Sequence, residues 1–381
     1  MKLFLSAGEP SGDLHGSNLI HAILAKQPDA RITVLGGDRM RAAGAELLYP
    51  LADLAVMGLR NVVRHLPTFY HIGDLAVRHI RKQKPDAVVM IDYPGFHLAL
   101  AKRLRDLNVP TYFFVPPQLW AWRQGRVRTV RKYFTGVLTA LPFEDEWYRE
   151  RGVKTQYIGH PYFDELAQQQ LDPAFLAQER AKSGTRVAIL PGSRNGEVAA
   201  NAQMMLAAAQ KIHTGCPNTR FLVAAFNAAQ AHVVRAIVPS GLPVEVHVGR
   251  TPEVIELAEA CIAVSGSVSL ELMYRAKPAV IVYRVGAVAA WTLSKIIKVR
   301  YMSLPNLLLN EELYPELSGS RYTPADIAGH ILGWLNDPVR HAVAVNRLVE
   351  LRARAAVPGA CDRAAAFLLG SVESVQVRHV A

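Results

Sequence analysis

Residues 2–13 read KLFLSAGEPSGD and decide how the first half of the chain folds. The apolar run Lys2–Ala7 is typical of a buried strand, and Gly8 and Gly12 allow the backbone to turn tightly after it. A helical pattern over Leu14–Lys26 follows. A strand, a glycine-containing turn and a helix, in that order, predict the opening of a parallel α/β sheet.

The same alternation of short apolar runs and helical patterns continues along the chain. Further strands are predicted at Arg31–Leu35, Ala87–Asp92, Thr111–Val115, Val137–Leu141 and Thr155–Ile158, and then at Arg186–Leu190, Arg220–Ala225, Val244–Val248, Cys261–Ser265 and Ala279–Tyr283. Helices are predicted between them, for example at His97–Leu107, Glu197–Ile212, Pro252–Ala260 and Ser269–Arg275. Apolar strands separated by helices indicate parallel sheets covered on both faces.

The pattern starts again once, which predicts two α/β domains. We expect residues 1–164 and 185–330 to form two Rossmann-like, doubly wound parallel-sheet domains, joined by the polar, Gln-rich segment 165–184. Helical patterns dominate the C-terminal residues 331–381. Two such domains are expected to face a cleft in which a ligand binds at the carboxyl ends of the strands.

Composition excludes several classes of protein. The 381 residues are 50% hydrophobic, which excludes a disordered chain, and three cysteines are too few for a disulfide framework. We see no secretory signal core and no apolar run of the ~18–20 residues that a spanning helix needs, so we expect a cytoplasmic protein. The net charge of +11 favours an anionic partner. Without a Lys/Arg block or a zinc-finger spacing, we do not expect nucleic acid.

The turn after the first strand carries candidate ligands for a sugar. Glu9, Ser11, Gly12 and Asp13 stand at a strand end that faces the expected cleft, and carboxylates there can bind hydroxyl groups. The alternative is an ordinary turn in which Ser11 or Asp13 caps the helix.

The turn after the first strand of the second domain, Leu190–Glu197, predicts a diphosphate site. Gly192 and Ser193 precede a helix whose N-terminus offers free N–H groups, and Arg194 adds a cation with a bidentate donor fork. The alternative is a turn with a surface arginine.

Residues 265–271, read as SGSVSLE, form a third strand-to-helix turn. Ser267 and Ser269 are small enough to let a ligand approach the backbone, and Glu271, one turn into the helix, suits the hydroxyl groups of a ribose. Alternatively, Ser267 caps the helix and Glu271 favours the helix dipole.

Asp92 ends an apolar strand, so its carboxylate is a candidate general base at the rim of the sheet. Partial burial there should raise the pKa of Asp92. The alternative is a turn-forming aspartate.

Two basic, aromatic segments are candidates for contact with anionic headgroups or a phosphorylated acceptor. They are Trp120–Lys132, in which Trp122 and Arg123 are the leading candidates, and Trp291–Tyr301. The alternative for the first segment is a pair of core tryptophans followed by a solvated basic helix.

Taken together and in order, these motifs resemble the lipid-A-disaccharide synthase family, glycosyltransferases of the GT-B architecture. The motifs that carry the resemblance are Gly8–Asp13, Ala55–Leu59, Asp92–Phe96, Trp120–Arg123, Ile158–Pro161, Leu190–Arg194, Ser265–Glu271 and Leu304–Leu308. Departures at Pro10, Pro116–Leu119 and Asn310-Glu311 leave the acyl-chain preference open.

The resemblance implies inverting transfer of 2,3-diacylglucosamine from UDP-2,3-diacylglucosamine to 2,3-diacylglucosamine 1-phosphate (lipid X). It implies Asp92 as general base, Ser193, Arg194, Glu271 and Asn306 around UDP, and Glu9, Ser11 and Asp13 around the sugars. It also implies peripheral association with the cytoplasmic face of the inner membrane and is compatible with a homodimer. The last helix of GT-B proteins often crosses back to the first domain.

The sequence predicts no cofactor and no catalytic metal, because no cluster with metal-ligand spacing accompanies either turn. Two alternatives stay open. One is a UDP-N-acetylglucosamine 2-epimerase of similar fold, which would act on a soluble substrate. The other is a non-catalytic anion-binding protein, for which the paired turn motifs would be unnecessary.

Overall fold

A computed structural model describes residues 1–54, 66–193, 195–284, 298–319 and 322–380, except the side chains of 195–197 and 374–380. The chain divides into two compact units. The first unit comprises Met1–Ala167 and Val357–Ala381, and the second comprises Gln168–Ala356. Of the C-terminal helical residues, those up to 356 therefore belong to the second unit and those from 357 onward belong to the first.

The first unit is built on a parallel sheet. Its strands are β1 (Lys2–Ala7), β2 (Arg31–Leu35), β3 (Glu46–Tyr49), β4 (Ala87–Ile91), β5 (Thr111–Phe114), β6 (Gly136–Thr139) and β7 (Thr155–Tyr157), in the order β3-β2-β1-β4-β5-β6-β7. Its helices up to residue 168 are α1 (Pro10–Lys26), α2 (Asp38–Ala42), α3 (Leu51–Leu54), α4 (Leu66–Gln83), α5 (Pro94–Leu104), α6 (Val127–Tyr133), α7 (Pro142–Glu150) and α8 (Tyr162–Gln168).

The central strands β1 and β4 are buried on both faces, as their continuous apolar sequences predict. Successive side chains alternate between two cores: Leu3 and Leu5 lie in one, and Phe4 lies in the other. In β4, Val89 belongs to the first core and Met90 to the second. The two strands pair in parallel, with Ala7 opposite Ile91, so their carboxyl ends lie side by side.

The second unit repeats the design. Its strands are β8 (Thr185–Leu190), β9 (Thr219–Ala225), β10 (Val244–Val248), β11 (Ala260–Val264), β12 (Ala279–Arg284) and β13 (Glu316–Gly319), in the order β10-β9-β8-β11-β12-β13 and parallel throughout. Its helices are α9 (Pro173–Ala181), α10 (Asn195–Gly215), α11 (Ala228–Arg235), α12 (Thr251–Leu257), α13 (Val268–Tyr274), α14 (Leu304–Leu309), α15 (Pro324–Leu335) and α16 (Pro338–Ala355).

The last helix, α17 (Ala360–Val380), packs into the first unit. Ala364, Ala365 and Leu368 share the core that β1 and α1 line. The buried carboxylate of Asp164, in α8, accepts hydrogen bonds from the N–H groups of Gly359, Ala360 and Cys361 at 2.6, 3.0 and 2.8 Å. A side chain distant in sequence thus supplies the N-terminal cap of α17.

The structure confirms the predicted fold class of two doubly wound parallel sheets with C-terminal helices. Each predicted strand is present, with ends that differ by at most two residues. The edge strands β3 and β13 were not predicted, because each has four residues and lacks a continuous buried run. Helix α1 begins at Pro10 rather than Leu14. Within the described residues, no helix has both the length and the apolarity to cross a bilayer.

Replacing Asp164 by alanine should destabilise the first unit, because three amides at the start of α17 lose their acceptor in a buried site. We expect a loss of about 2 kcal/mol in the free energy of unfolding, measured by calorimetry or urea titration. Asp362, whose side chain is 67% exposed, provides the matched control Asp362→Ala with little effect. Equal stability of the Asp164→Ala variant and the wild type would contradict this role.

Candidate active site

The turn after β1 presents two of its candidate side chains to solvent. Glu9 is the N-cap residue of α1, in an extended backbone conformation, and its partly exposed side chain makes no capping hydrogen bond. Ser11 is exposed. Gly12 is buried, and a Cβ there would lie 3.6 Å from the carbonyl oxygen of Ile91. The turn therefore leaves Glu9 and Ser11 accessible to a ligand.

Asp13 has a different environment. Its side chain is 5% exposed, and its carboxylate accepts hydrogen bonds from the N–H groups of Gly37, Arg39 and Met40 at 2.7, 3.1 and 3.3 Å. These amides surround the start of α2. Asp13 thus holds the chain after β2 onto α1, and this structural task already uses both of its oxygens.

Asp92 follows β4 in an unusual backbone conformation. Both Asp92 and Tyr93 have φ of +49°, in the left-handed region that side chains with a Cβ rarely adopt. The ring of Tyr93 covers Gly8, and a Cβ at position 8 would collide with it. The two turns that follow β1 and β4 are therefore packed directly against each other.

The carboxyl group of Asp92 has a raised pKa of about 6. Burial is the main cause, and the negative charge of Glu9 adds to it, while a hydrogen bond from the backbone of Tyr93 acts in the opposite direction. The predicted direction of this shift agrees with the structure. A carboxylate of this kind remains mostly ionised at neutral pH and is more basic than an ordinary aspartate.

The basic, aromatic segment divides into a buried part and an exposed part. Trp120 is buried, and its Nε1 donates to Glu144 Oε1 at 3.1 Å. Burial raises the pKa of Glu144 to about 7, although Trp120 and backbone amides favour the ionised form. Trp122 is 42% exposed, and the guanidinium carbon of Arg123 lies 4.8 Å from its ring centroid. Of the two tryptophans, only Trp122 can meet a surface or substrate.

In the second unit, the turn between β8 and α10 contains a glycine with a positive φ. Gly192 has φ of +119°, which favours glycine, and Ser193 is exposed. The side chain of Gln230, in α11, is 2% exposed, and its Nε2 donates to the carbonyl oxygen of Ser193 at 2.8 Å. Arg194 lies outside the described residues, as do Ala55–Leu59 and residues 291–297 of the second basic segment.

In the turn between β11 and α13, one of the three candidate side chains is exposed and two are buried. Ser267 is exposed and makes no side-chain capping hydrogen bond, contrary to its alternative interpretation as a helix cap. Ser269 is buried, and its Oγ donates to the carbonyl oxygen of Gly266 at 2.8 Å. Glu271 is also buried, and Arg275 Nε donates to its Oε1 at 3.1 Å.

Asn306 is fully buried in a hydrogen-bonded network. Its Nδ2 donates to the carbonyl oxygen of Tyr314 and to Glu316 Oε1, and its Oδ1 accepts from the N–H groups of Leu313 and Tyr314, each at 2.8 Å. These four bonds use the whole capacity of the amide for ordinary hydrogen bonds. In the structure, Asn306 therefore shapes the segment that joins α14 to β13.

The sequence analysis missed one polar residue beside the candidate base. His97, in α5, is fully buried and lies within hydrogen-bond distance of both Ser6 and the backbone of Asp92. A histidine one turn into an apolar helix, five residues after a strand-end carboxylate, was the available signal. Periodicity alone does not distinguish it from a core residue.

Solved structures with the same fold include an epimerase and a glycosyltransferase. The UDP-GlcNAc 2-epimerase from Neisseria meningitidis bound to UDP-GlcNAc has a TM-score of 0.65 at 11% identity, with 98% of this chain and 100% of that chain covered. CalG4, the calicheamicin glycosyltransferase, has a TM-score of 0.62 at 15% identity, with 98% of each chain covered. Together with the strand-end turns, this fold defines a protein of the GT-B class.

Relatives by sequence specify the family. The lipid-A-disaccharide synthetase family model matches residues 3–360. The lipid-A-disaccharide synthase of Alkalilimnicola ehrlichii is 37% identical, covering 97% of this chain and 98% of its own length, and that of Myxococcus xanthus is 34% identical, covering 97% of each. The chain belongs to the lipid-A-disaccharide synthase family of glycosyltransferases. The resemblance noted in the sequence is confirmed. The epimerase alternative has the fold in common, but it is not better supported, since the epimerase named above is 11% identical.

Replacing Asn306 by alanine should lower the stability of the second unit, because three backbone groups and Glu316 each lose a hydrogen bond in a largely buried site. We expect a loss of about 3 kcal/mol in the free energy of unfolding, whereas the exposed Ser267→Ala control should change it by less than about 0.5 kcal/mol. Urea unfolding measures both. An Asn306→Ala variant of unchanged stability but reduced UDP affinity would instead support direct nucleotide binding.

Proposed function

We propose that the protein transfers 2,3-diacylglucosamine from UDP-2,3-diacylglucosamine to the 6-hydroxyl group of 2,3-diacylglucosamine 1-phosphate. The products are UDP and a β-1,6-linked disaccharide 1-phosphate, with inversion at the anomeric carbon. Membership of the family supports the reaction type. The observation that carries the mechanism is the partly buried carboxyl group of Asp92, held at a strand end with a pKa raised to about 6.

In this mechanism Asp92 acts as general base. Its carboxylate accepts the proton of the acceptor hydroxyl while that oxygen attacks C1 of the donor and the C1–O bond to UDP breaks. The raised pKa strengthens the base yet leaves it ionised at neutral pH, the compromise expected of a general base. Glu9 and Ser11, accessible beside it, are the proposed ligands of the sugar hydroxyl groups.

The second unit supplies the proposed site for UDP. Gly192 allows the turn to expose the N-terminal amides of α10, a helix of 21 residues, toward a diphosphate. Arg194 is proposed to pair with the leaving phosphate, where a charged hydrogen bond contributes about 1.5–3 kcal/mol. Ser267, Ser269 and Glu271 are proposed around the ribose. Asn306 supports this region indirectly through the network around Glu316.

We also propose that the first unit docks peripherally on the cytoplasmic face of the inner membrane. The acyl chains of both substrates favour the bilayer by about 0.8 kcal/mol for each buried CH₂ group. An enzyme that binds the sugar at the headgroup level leaves the acyl chains in the bilayer and avoids the cost of extracting them. Trp122 and Arg123, exposed and stacked together, suit that level because an indole and a guanidinium are both stable at a lipid interface.

The Asp92→Asn substitution tests the assignment of the base. We expect the rate of disaccharide formation from UDP-2,3-diacylglucosamine and lipid X to fall at least about 100-fold, since a general base contributes ~10²–10⁴-fold. UDP affinity, measured by calorimetry, should stay unchanged because the residues proposed to bind UDP belong to the second unit and Asp92 belongs to the first. A loss of less than about tenfold would remove Asp92 as the base.

The same assignment predicts the pH dependence of the reaction. Protonation of Asp92 removes the base, so kcat/KM should decline as the pH falls through about 6. The Glu9→Gln variant should move this decline to lower pH, because the charge of Glu9 raises the pKa of Asp92. Product analysis in the same assay identifies an epimerised sugar nucleotide if the alternative activity is present.

Binding to vesicles tests the docking surface. The Trp122→Ala/Arg123→Ala variant should bind vesicles containing phosphatidylglycerol at least about fivefold more weakly, since one cation near an anionic surface contributes about 1 kcal/mol. Arg41→Ala removes a cation that is 62% exposed elsewhere on the first unit and serves as the control. Equal binding by all three proteins would show that this segment does not dock.

A further inference from the structure

His97 joins the ends of β1 and β4 through two short hydrogen bonds. Its Nε2 lies 2.8 Å from Ser6 Oγ, and its Nδ1 lies 2.6 Å from the carbonyl oxygen of Asp92. Both Ser6 and His97 are fully buried. These contacts therefore link the carboxyl-terminal part of β1 to the residue that follows β4.

The acceptor character of the Asp92 carbonyl determines the tautomer of His97. A carbonyl oxygen only accepts, so Nδ1 carries the proton and donates it to Asp92. Nε2 is then the acceptor, and the Ser6 hydroxyl group donates to it. Burial lowers the pKa of His97 to about 4, which keeps this neutral form through the physiological range.

The carbonyl that His97 holds belongs to a strained residue. The left-handed conformations of Asp92 and Tyr93 are unfavourable in residues that have a Cβ. Such conformations persist only where surrounding contacts stabilise them. The hydrogen bond from His97 Nδ1 stabilises the conformation of Asp92. The contact of the Tyr93 ring with Gly8, in the turn after β1, stabilises that of Tyr93.

The surroundings of His97 exclude a direct part in proton transfer. The rings of Tyr93, Phe96 and Phe113 lie with their centroids 5.6–6.1 Å from that of His97. Its two ring nitrogens are already occupied by Ser6 and the Asp92 backbone. The charged group that acts on the Asp92 carboxylate from the neighbouring turn is Glu9. His97 therefore acts on the backbone of Asp92 and not on the substrate.

We propose that His97 is a positioning residue, which holds Asp92 in the left-handed conformation that aims its carboxylate at the acceptor hydroxyl group. This inference rests on the proposed function, because it assigns His97 a role only through Asp92. It predicts that the donor group at Nδ1 matters for catalysis, whereas the aromatic volume of the ring alone does not suffice.

Three substitutions separate the two hydrogen bonds of His97. The amide of His97→Asn reaches the position of Nδ1 and keeps the bond to Asp92, whereas that of His97→Gln reaches the position of Nε2 and keeps the bond to Ser6. His97→Phe keeps the volume and loses both bonds. His79→Phe is the control, because His79 is a partly buried histidine of the same unit whose ring centroid lies 5.8 Å from that of Phe4.

We expect kcat to fall at least tenfold in His97→Phe and in His97→Gln, with KM for the UDP-sugar within twofold of the wild type. His97→Asn should recover most of kcat, and His79→Phe should lose little. Equal kcat in the Phe, Gln and Asn variants would overturn the proposal. So would a loss in the Phe variant that parallels a general loss of thermal stability and is not recovered by Asn.

A titration that does not depend on activity separates this inference from the proposed function. The carboxyl ¹³C signal of Asp92, identified by its absence in Asp92→Asn, reports the pKa of that group. In His97→Phe the loop should relax toward solvent, so this pKa should shift downward from about 6, while in His97→Asn it should stay. An unchanged titration in His97→Phe overturns the positioning role. An inactive wild type with the expected titration shifts overturns only the proposed reaction.

Discussion

The parallel pairing of β1 with β4 is the constraint on which the candidate base depends. Ala7 lies opposite Ile91, so the residues that follow, Gly8 and Asp92, leave the sheet side by side. Burial of apolar side chains on both faces stabilises this pairing, because a slip of one residue would exchange the side chains between the two cores. The position of the carboxylate is therefore a consequence of strand register.

Three aspartates of the first unit lie in two kinds of environment. Asp13 and Asp164 each accept three backbone N–H donors and so hold the start of a helix in place. Burial and the negative charge of Glu9 raise the pKa of Asp92. Burial also raises the pKa of Glu144, which is not accessible to a ligand because it is buried against Trp120. The half-buried position of Asp92 at a strand end, beside the accessible Glu9 and Ser11, is what makes it the candidate base.

The sequence predicted the fold well because its strands are continuous apolar runs, and it predicted the strand-end turns because glycine marks them. It did not predict which polar residues of those turns have structural tasks. Asp13 and Asn306 belong to family motifs, yet their partners lie 24–27 and 7–10 residues away in loops whose course depends on the folded sheet. The left-handed backbone conformation of Asp92 could not be predicted either, because no glycine stands at that position.

Asp92 also shows why the rest of the first unit must be stable. A carboxyl group whose pKa is raised in the folded state stabilises the fold below its unfolded pKa, and this contribution is lost as the pH rises through about 6. At neutral pH the ionised Asp92 therefore opposes folding, and its strained backbone adds to the cost. The apolar strands and the caps that Asp13 and Asp164 form must offset both. The basicity of this carboxyl group and the stability of the fold therefore act against each other, and His97 contacts the backbone of the same residue.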